Sequence, residues 1–196
     1  RFNKDERYVD HKFQLTPKNG FTNLFSNMIN HKNIHVLLNT DYKEIIKECQ
    51  PKFTVYTGPI DYYFDHQFGK LPWRSLAFKH VEFNEEFHQP CVQINYPNDY
   101  EYTRSVEIKH VTKQRTPNTV ISYEYSKSEG DPYYPIPAED NKKLFYKYKE
   151  LALKETKEKK VYFGGRLANY VYINMDEAIE GALELYKTII NEQKVR

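Results

Sequence analysis

The hydrophobic spacing of this chain switches between a helical and a strand period along its length. Phe21, Leu24, Phe25, Met28 and Ile29 fall on one stripe and predict a helix from about Phe21 to Asn30, with Asn19 as a candidate cap. Ile34 to Leu38 reads as a short strand, and Asp41 to Glu48 fits either type. Phe53-Thr54-Val55-Tyr56-Thr57 reads as a buried strand stopped by Gly58-Pro59, and Asp61 to Phe68 as an aromatic-rich short helix or loop. From about Arg74 to Ser126 the period falls to two. Leu76-Ala77-Phe78, Val92 to Tyr96, Val106-Glu107-Ile108 and Val120 to Tyr123 are short β-type runs separated by Pro, Asn and Asp. They predict an antiparallel sheet of about five or six strands within residues 70–126. Pro132, Pro135 and Pro137 keep residues 131–138 extended. Asp140 then caps a helix to about Glu155, with Leu144, Tyr148, Leu151 and Ala152 on one face. A β-type run, Lys160 to Phe163, leads to the last helix from about Met175 to Gln193, marked by Ile179, Leu183, Tyr186 and Ile190. The fold class that follows is α+β, an antiparallel sheet with flanking helices.

Between the last strand and the last helix lies Gly164-Gly165-Arg166-Leu167-Ala168-Asn169-Tyr170-Val171-Tyr172-Ile173-Asn174-Met175-Asp176. Strand, glycine turn, polar loop and helix start together bring backbone N–H groups towards an anionic or electron-rich ligand.

Composition narrows the partners. The 196 residues carry 29 basic and 27 acidic side chains, a net charge of +2, which gives no field that argues for nucleic acid. Mean hydropathy is −0.83, and no apolar run approaches the roughly 20 residues of a membrane span. The N-terminus, Arg1-Phe2-Asn3-Lys4, has no Met and no signal-like stretch, and reads as the start of a piece cut from something longer. Two cysteines, Cys49 and Cys91, make no disulfide framework; they fit a reducing, cytoplasmic setting and pack as small apolar groups. The seven histidines show no metal-ligand spacing, and neither Gly-x-Ser-x-Gly nor Gly-x-Gly-x-x-Gly occurs. Tyrosine is the unusual residue, at 18 positions. It fits either an aromatic sheet core or a polar pocket, because the ring is apolar and its tip bonds.

Strand alternation puts Arg104, Val106 and Ile108 on one face. An arginine there needs an internal carboxylate or a bound anion. Arg166, Tyr170 and Tyr172 favour the anion: two guanidiniums with several phenols suit a diphosphate, met by bidentate forks and hydroxyl tips.

Four separated motifs, in order, closely resemble UDP-galactopyranose mutases: Val55-Tyr56-Thr57-Gly58-Pro59-Ile60-Asp61, Tyr102-Thr103-Arg104, Asp131-Pro132-Tyr133-Tyr134-Pro135-Ile136, and Gly165-Arg166-Leu167 through Met175-Asp176. The likeness runs from about Arg1 to Ile190 and corresponds to the C-terminal half of that family, without its N-terminal FAD-binding fingerprint. It implies a flavoprotein interconverting UDP-galactopyranose and UDP-galactofuranose, for cell-surface polysaccharide. N5 of reduced FAD attacks the anomeric carbon and displaces UDP, the sugar opens and recloses on the flavin, and UDP returns with no net redox change.

The resemblance assigns Arg104 to the diphosphate, with Tyr8, Tyr134 and Tyr172 as tyrosine partners and Asn95 near the nucleotide. It assigns Thr57, Gly58, Arg166, Ile173, Asn174, Met175, Asp176, Glu177 and Ala178 to the flavin, and no protein side chain to the nucleophilic role. A helix start beside reduced flavin favours its negative charge by roughly 0.3–2 kcal/mol. It also implies a division into residues 1–69 (partial flavin-domain and helical segments), 70–138 (the substrate-side sheet) and 139–196 (the helix-strand-loop-helix closing a Rossmann-like flavin domain). The implied partners are the two UDP-sugars, the N-terminal FAD domain and a second copy in a homodimer. Alone, the 196 residues are expected to be colourless and inactive, because the main dinucleotide cradle lies elsewhere. Three positions depart from the family: Asn174 stands where Asp is common, Val9 follows Tyr8 where an aromatic is common, and a second arginine of the family would fall before Arg1. The competing reading is a non-catalytic nucleotide-sugar or carbohydrate-binding domain using the same Tyr/Arg surface.

Overall fold

A computed structural model describes residues 11–194. Its elements are α1 (Gly20–Ile29), α2 (Tyr42–Ile45), β1 (Thr54–Tyr56), α3 (Ile60–Tyr63), β2 (Trp73–Phe83), β3 (Gln93–Asn95), β4 (Arg104–Val106), α4 (Lys109–Thr112), β5 (Thr119–Lys127), β6 (Tyr134–Pro135), α5 (Glu139–Lys159), β7 (Val161–Phe163), α6 (Gly165–Ala168) and α7 (Met175–Lys194). Five strands form the expected antiparallel sheet in the order β3-β4-β5-β2-β6, and β1 pairs with β7 in a separate parallel pair. The fold is therefore α+β. The fifth strand comes from Tyr134–Pro135, inside the stretch predicted only as extended, where Arg74 pairs with Tyr134 and Trp73 with Pro135. Proline is tolerated at that edge because it has no N–H to donate.

Two compact units divide the chain. One takes the residues up to Asn39 and Lys79–Tyr123; the other takes Thr40–Phe78 and the residues from Glu124 onward. They are described in turn.

The second unit is built on aromatic side chains that also hydrogen-bond. Ile60, Leu71, Tyr148, Ala152 and Tyr170 are buried together, with Phe64, Trp73, Leu144, Leu151 and Phe163 packed against them. The predicted stripe of α5 is thus the stripe that faces the core. Its cap differs from the expectation: Ala138, extended, is the N-cap, and Asp140 stands with Glu139 in the first turn, where acidic charge suits the helix dipole. At the other end, Lys160 turns left-handed at φ 54° and returns its N–H to Glu155 and Thr156. The Tyr148 ring is wholly buried, and its hydroxyl accepts from Phe68 N at 2.9 Å and donates to Gly69 O at 2.7 Å. Burial raises the Tyr148 and Tyr170 hydroxyl pKa values, so both stay protonated donors. Tyr42, Tyr56 and Tyr63 form a second aromatic group. The Tyr63 hydroxyl, pushed up to about 12 by burial and then by the nearby Glu155 charge, donates to Glu155 Oε2 at 3.2 Å.

In the parallel pair, Thr54 faces Val161, Val55 faces Tyr162 and Tyr56 faces Phe163. Tyr56 and Val161 turn into the interior, whereas Val55 is 44% exposed. A largely apolar cavity of about 280 Å³ lies on that side, between β1, the Gly164–Gly165 turn and the α7 residues Ala178, Ala182, Leu185 and Ile189. The spaced residues Ile179, Leu183 and Tyr186 of α7 stay 57–62% exposed; Ile189 is the buried side chain of this helix.

The first unit uses a polar interior. Glu107, Ser105, Lys109, Thr119 and Gln89 are buried beside Ile121. The Glu107 carboxylate accepts from His88 N (3.1 Å) and Thr119 Oγ1 (2.5 Å) at one oxygen. At the other it accepts from Gln89 N (3.0 Å) and lies 3.2 Å from His110 Nε2. Lys109 Nζ, likewise buried, donates to the carbonyls of Glu86, Thr116 and Asn118. Each buried charge is met by several partners, which is what makes its burial tolerable.

Three expectations are corrected here. Ile34 to Leu38 forms no strand, and every position in it is exposed; among the described residues no strand pairs with it, and β-propensity alone does not hold an extended run. The α1 helix forms over the predicted range, but Asn19 makes no side-chain cap bond and none of its residues is buried. Cys49 and Cys91 are exposed rather than packed inside.

Two outcomes follow. Tyr148→Phe leaves Phe68 N and Gly69 O without their partner and should lower unfolding stability by about 1–3 kcal/mol, whereas exposed Tyr146→Phe should stay within about 0.5 kcal/mol in urea denaturation. For Glu107, burial raises the carboxyl pKa, but the Thr119 hydroxyl, the Gln89 and His88 N–H groups and the His110 charge together hold it below its ordinary 4.5. A folded pKa below the unfolded one gives stability that is full above about pH 4.5 and lost as pH falls through the folded value. Acid titration followed by amide signals of Ser105 to Thr112 should show this loss, and Glu107→Gln should flatten it.

Candidate active site

The stretch after β7 folds as its residue types dictate. Gly164 N donates to Tyr56 O at 3.1 Å, which continues the strand pairing by one residue. Gly165 then sits at φ 80°, a conformation that a side chain resists, and opens the single turn α6. Tyr170 closes that turn at φ 47°, an unusual value for a tyrosine, with its ring 9% exposed. Its hydroxyl donates to Pro72 O at 2.6 Å and accepts from Ile136 N at 3.2 Å, and its ring meets Trp73 edge-on at 4.9 Å. Tyr170 is therefore a core residue whose hydroxyl serves the backbone, and it leaves the group of anion-binding phenols to which the sequence assigned it.

One turn before Tyr170, Arg166 Nη2 donates to Tyr133 O at 2.5 Å. The guanidinium carbon lies 4.5 Å from the Tyr172 ring centre and 5.2 Å from that of Tyr134. The two rings are 5.5 Å apart and 28° from parallel. Ring faces attract a guanidinium without neutralising it. Arg166 Nε is buried with no hydrogen-bond partner. A buried cationic N–H left open costs on the order of 1–3 kcal/mol, so this atom is disposed to take an acceptor. Residues from two separate motifs, Tyr134 from one and Arg166 and Tyr172 from the other, thus come together.

Thr57 and Ala178 line the apolar cavity described above, and the Thr57 Cβ lies 3.8 Å from where a Gly165 Cβ would stand. At Gly58 a Cβ would come 2.5 Å from the Tyr56 hydroxyl, which itself donates to Pro59 O. That turn admits no side chain without displacing Tyr56. Residues Ile173 to Ala178 form the approach and first turn of α7. Glu177 Oε2 reaches back to Asn174 N at 2.7 Å, and Ala178 N donates to Asn174 O at 3.0 Å, half of a capping box. Asp176 and Glu177 put two carboxylates in the first turn, so a negative ligand there meets like charge as well as the helix dipole.

In the other unit Asn95 and Arg104 stand directly opposite each other on β3 and β4. Arg104 Nε donates to Asn95 Oδ1 at 3.1 Å. The sequence marked both residues separately; strand register pairs them. Tyr8 lies outside the described residues. Sequence reasoning missed the Tyr133 carbonyl, which orients Arg166. Its signal was the Tyr133-Tyr134-Pro135 run at a sheet edge, facing Arg74.

Comparisons with known proteins bear on the family of the chain. The family profile described as UDP-galactopyranose mutase matches residues 1–172. The chain is similar to a dTDP-fucopyranose mutase of Escherichia coli, with 35% identity over 99% of this chain and 53% of that protein. It is similar to a probable UDP-galactopyranose mutase of Klebsiella pneumoniae, with 34% identity over 100% of this chain and 52% of the relative. A UDP-galactopyranose mutase of Mycoplasma genitalium is 37% identical over 88% of this chain and 46% of its own length. The chain spans about half the length of these curated relatives. A profile match covering residues 1–172, most of the chain, establishes that the chain belongs to the UDP-galactopyranose mutase family.

Proposed function

We propose that the chain is the C-terminal half of a flavin-dependent mutase that interconverts UDP-galactopyranose and UDP-galactofuranose. The observation that carries the reading is the Arg166 guanidinium, framed by Tyr134 and Tyr172, with a buried Nε that has no partner. Family membership supplies the reaction class, and the E. coli relative's name keeps a dTDP-linked sugar in view as the alternative substrate.

The residues present fit FAD. A guanidinium with an open donor suits an electron-rich ring edge or a carbonyl. The left-handed Gly165 carries no side chain, and the nearest atom to where its Cβ would stand is Thr57 Cβ at 3.8 Å. In this reading Arg166, Thr57, Gly58 and the α7 start, Ile173 to Ala178, hold the cofactor. Reduced FAD, when bound, supplies the nucleophilic nitrogen. The chain's own part is to bind, orient and balance charge. Arg104 holds the diphosphate, with Asn95 fixing its Nε and lying near the nucleotide. Tyr134, Tyr172 and Tyr8 offer hydroxyls to the remaining diphosphate oxygens. Because the glycine-rich dinucleotide cradle is absent from these residues, an N-terminal FAD domain is the implied partner. Two free, exposed cysteines fit a cytoplasmic protein, and among the described residues no helix is long and apolar enough to cross a membrane.

The test uses protein in which this chain is joined to its FAD domain. Reduced with dithionite, it should convert UDP-galactofuranose to UDP-galactopyranose, as seen by chromatography. Arg166→Ala should lower turnover about 10- to 100-fold, as the loss of a hydrogen bond to a charged group predicts. Retention of full activity in Arg166→Ala, or preference for a dTDP-sugar, would overturn the assignment. The 196-residue chain alone should be colourless; a yellow protein with a flavin spectrum would show that these residues suffice to hold FAD.

A further inference from the structure

We propose that Glu107 is a positioning residue for Arg104: it never reaches a ligand, but it fixes the strand register that sets the Arg104 guanidinium against Asn95. The inference rests on the assignment of Arg104 to the diphosphate.

The β3–β4 ladder is short and polar. It pairs Gln93 with Val106, Ile94 with Ser105 and Asn95 with Arg104. Register is normally set by an apolar face turned to a core, and a slip of one residue sends every side chain to the opposite face. Two apolar residues among six give little such preference, so a slip that parts Arg104 from Asn95 needs another restraint.

Glu107 provides it. This residue directly follows β4, and its backbone N–H donates to Val92 O at 2.9 Å, just before β3. Its carboxylate holds the approach to β3 through His88 N and Gln89 N. Gln89 answers with Oε1, which accepts from Ser105 Oγ at 2.7 Å in the middle of β4, and with its carbonyl, which lies 2.8 Å from His110 Nε2. Thr119 Oγ1 adds a bond from the start of β5. Four donors meet a group with about four lone-pair sites, so the carboxylate is saturated. An amide in its place turns an NH₂ towards backbone N–H groups that need an acceptor. The side chain is 0% exposed, which rules out direct contact with a ligand.

The experiment measures UDP affinity by calorimetry on the oxidised, FAD-loaded protein that contains this chain, with flavin content and melting temperature as controls. Arg104→Ala should weaken UDP about tenfold or more. Glu107→Gln should weaken it by a comparable factor with flavin content unchanged. The double variant should bind no worse than Arg104→Ala alone, because both changes remove one interaction. Thr119→Val should weaken UDP a few-fold, and Thr119→Ser, which keeps the donor, should restore it.

If Arg104→Ala leaves UDP affinity intact, the assignment of Arg104 fails and the proposal falls with it. If Arg104→Ala weakens binding but Glu107→Gln and Thr119→Val do not, or their losses add to that of Arg104→Ala, the assignment stands and the positioning role is overturned. Should Glu107→Gln fail to fold, the Thr119→Val and Thr119→Ser pair, alone and with Arg104→Ala, decides the question by the same criteria.

Discussion

The Tyr170 hydroxyl is the contact on which the Arg166 site depends. It joins three stretches distant in sequence: the turn after β7, Pro72 at the entry to β2, and Ile136 beyond β6. Arg166 lies one helical turn before it, so the arginine's reach to the Tyr133 carbonyl follows from where Tyr170 is tied. Holding a tyrosine at positive φ costs on the order of 1–2 kcal/mol. Burial of the ring against Trp73 and Phe145, with bonds to both sides of the hydroxyl, offsets that cost. A phenylalanine here would keep the packing but lose the tie that fixes where the guanidinium points.

The two units solve the problem of a small interior in different ways. The second relies on tyrosines that bury a ring and spend the hydroxyl on a backbone carbonyl or amide; Tyr56, Tyr148 and Tyr170 all do this. The first relies on charged side chains saturated by polar partners. Large apolar side chains meanwhile remain outside, in the α1 stripe from Phe21 to Ile29 and in Ile179, Leu183 and Tyr186 of α7. Contiguous apolar faces of this kind are ordinarily covered.

Periodic segments were the most readable from sequence. The α5 and α7 ranges and the buried face of α5 follow from spacing alone, and the sheet follows from alternation and its turn residues. Failures came where tertiary pairing decides. Lys79, His80 and Glu82 break the apolar alternation, so spacing predicts a three-residue run where β2 reaches 11 residues. The strand β6 exists only because β2 lies beside it. Ile34 to Leu38 has the residues of a strand, but among the described residues no strand pairs with it. At the site, Tyr134 and Tyr172 were legible as polar tyrosines, but Tyr170 looked the same in sequence. Only its left-handed backbone and buried ring separate it from them.

The parallel pairing of β1 with β7 joins residues more than a hundred positions apart. Loop-closure entropy grows slowly with length, but it must be met before the pairing returns any energy. Parallel, non-local strand pairing is accordingly among the slower steps of folding. On a ribosome, Thr54 to Tyr56 emerge long before their partner strand. During that interval Phe53 and Val55 stand beside an open strand edge, an aggregation hazard until Val161 to Phe163 arrive. Synthesis speed through the intervening sheet thus sets how long the nascent chain is vulnerable.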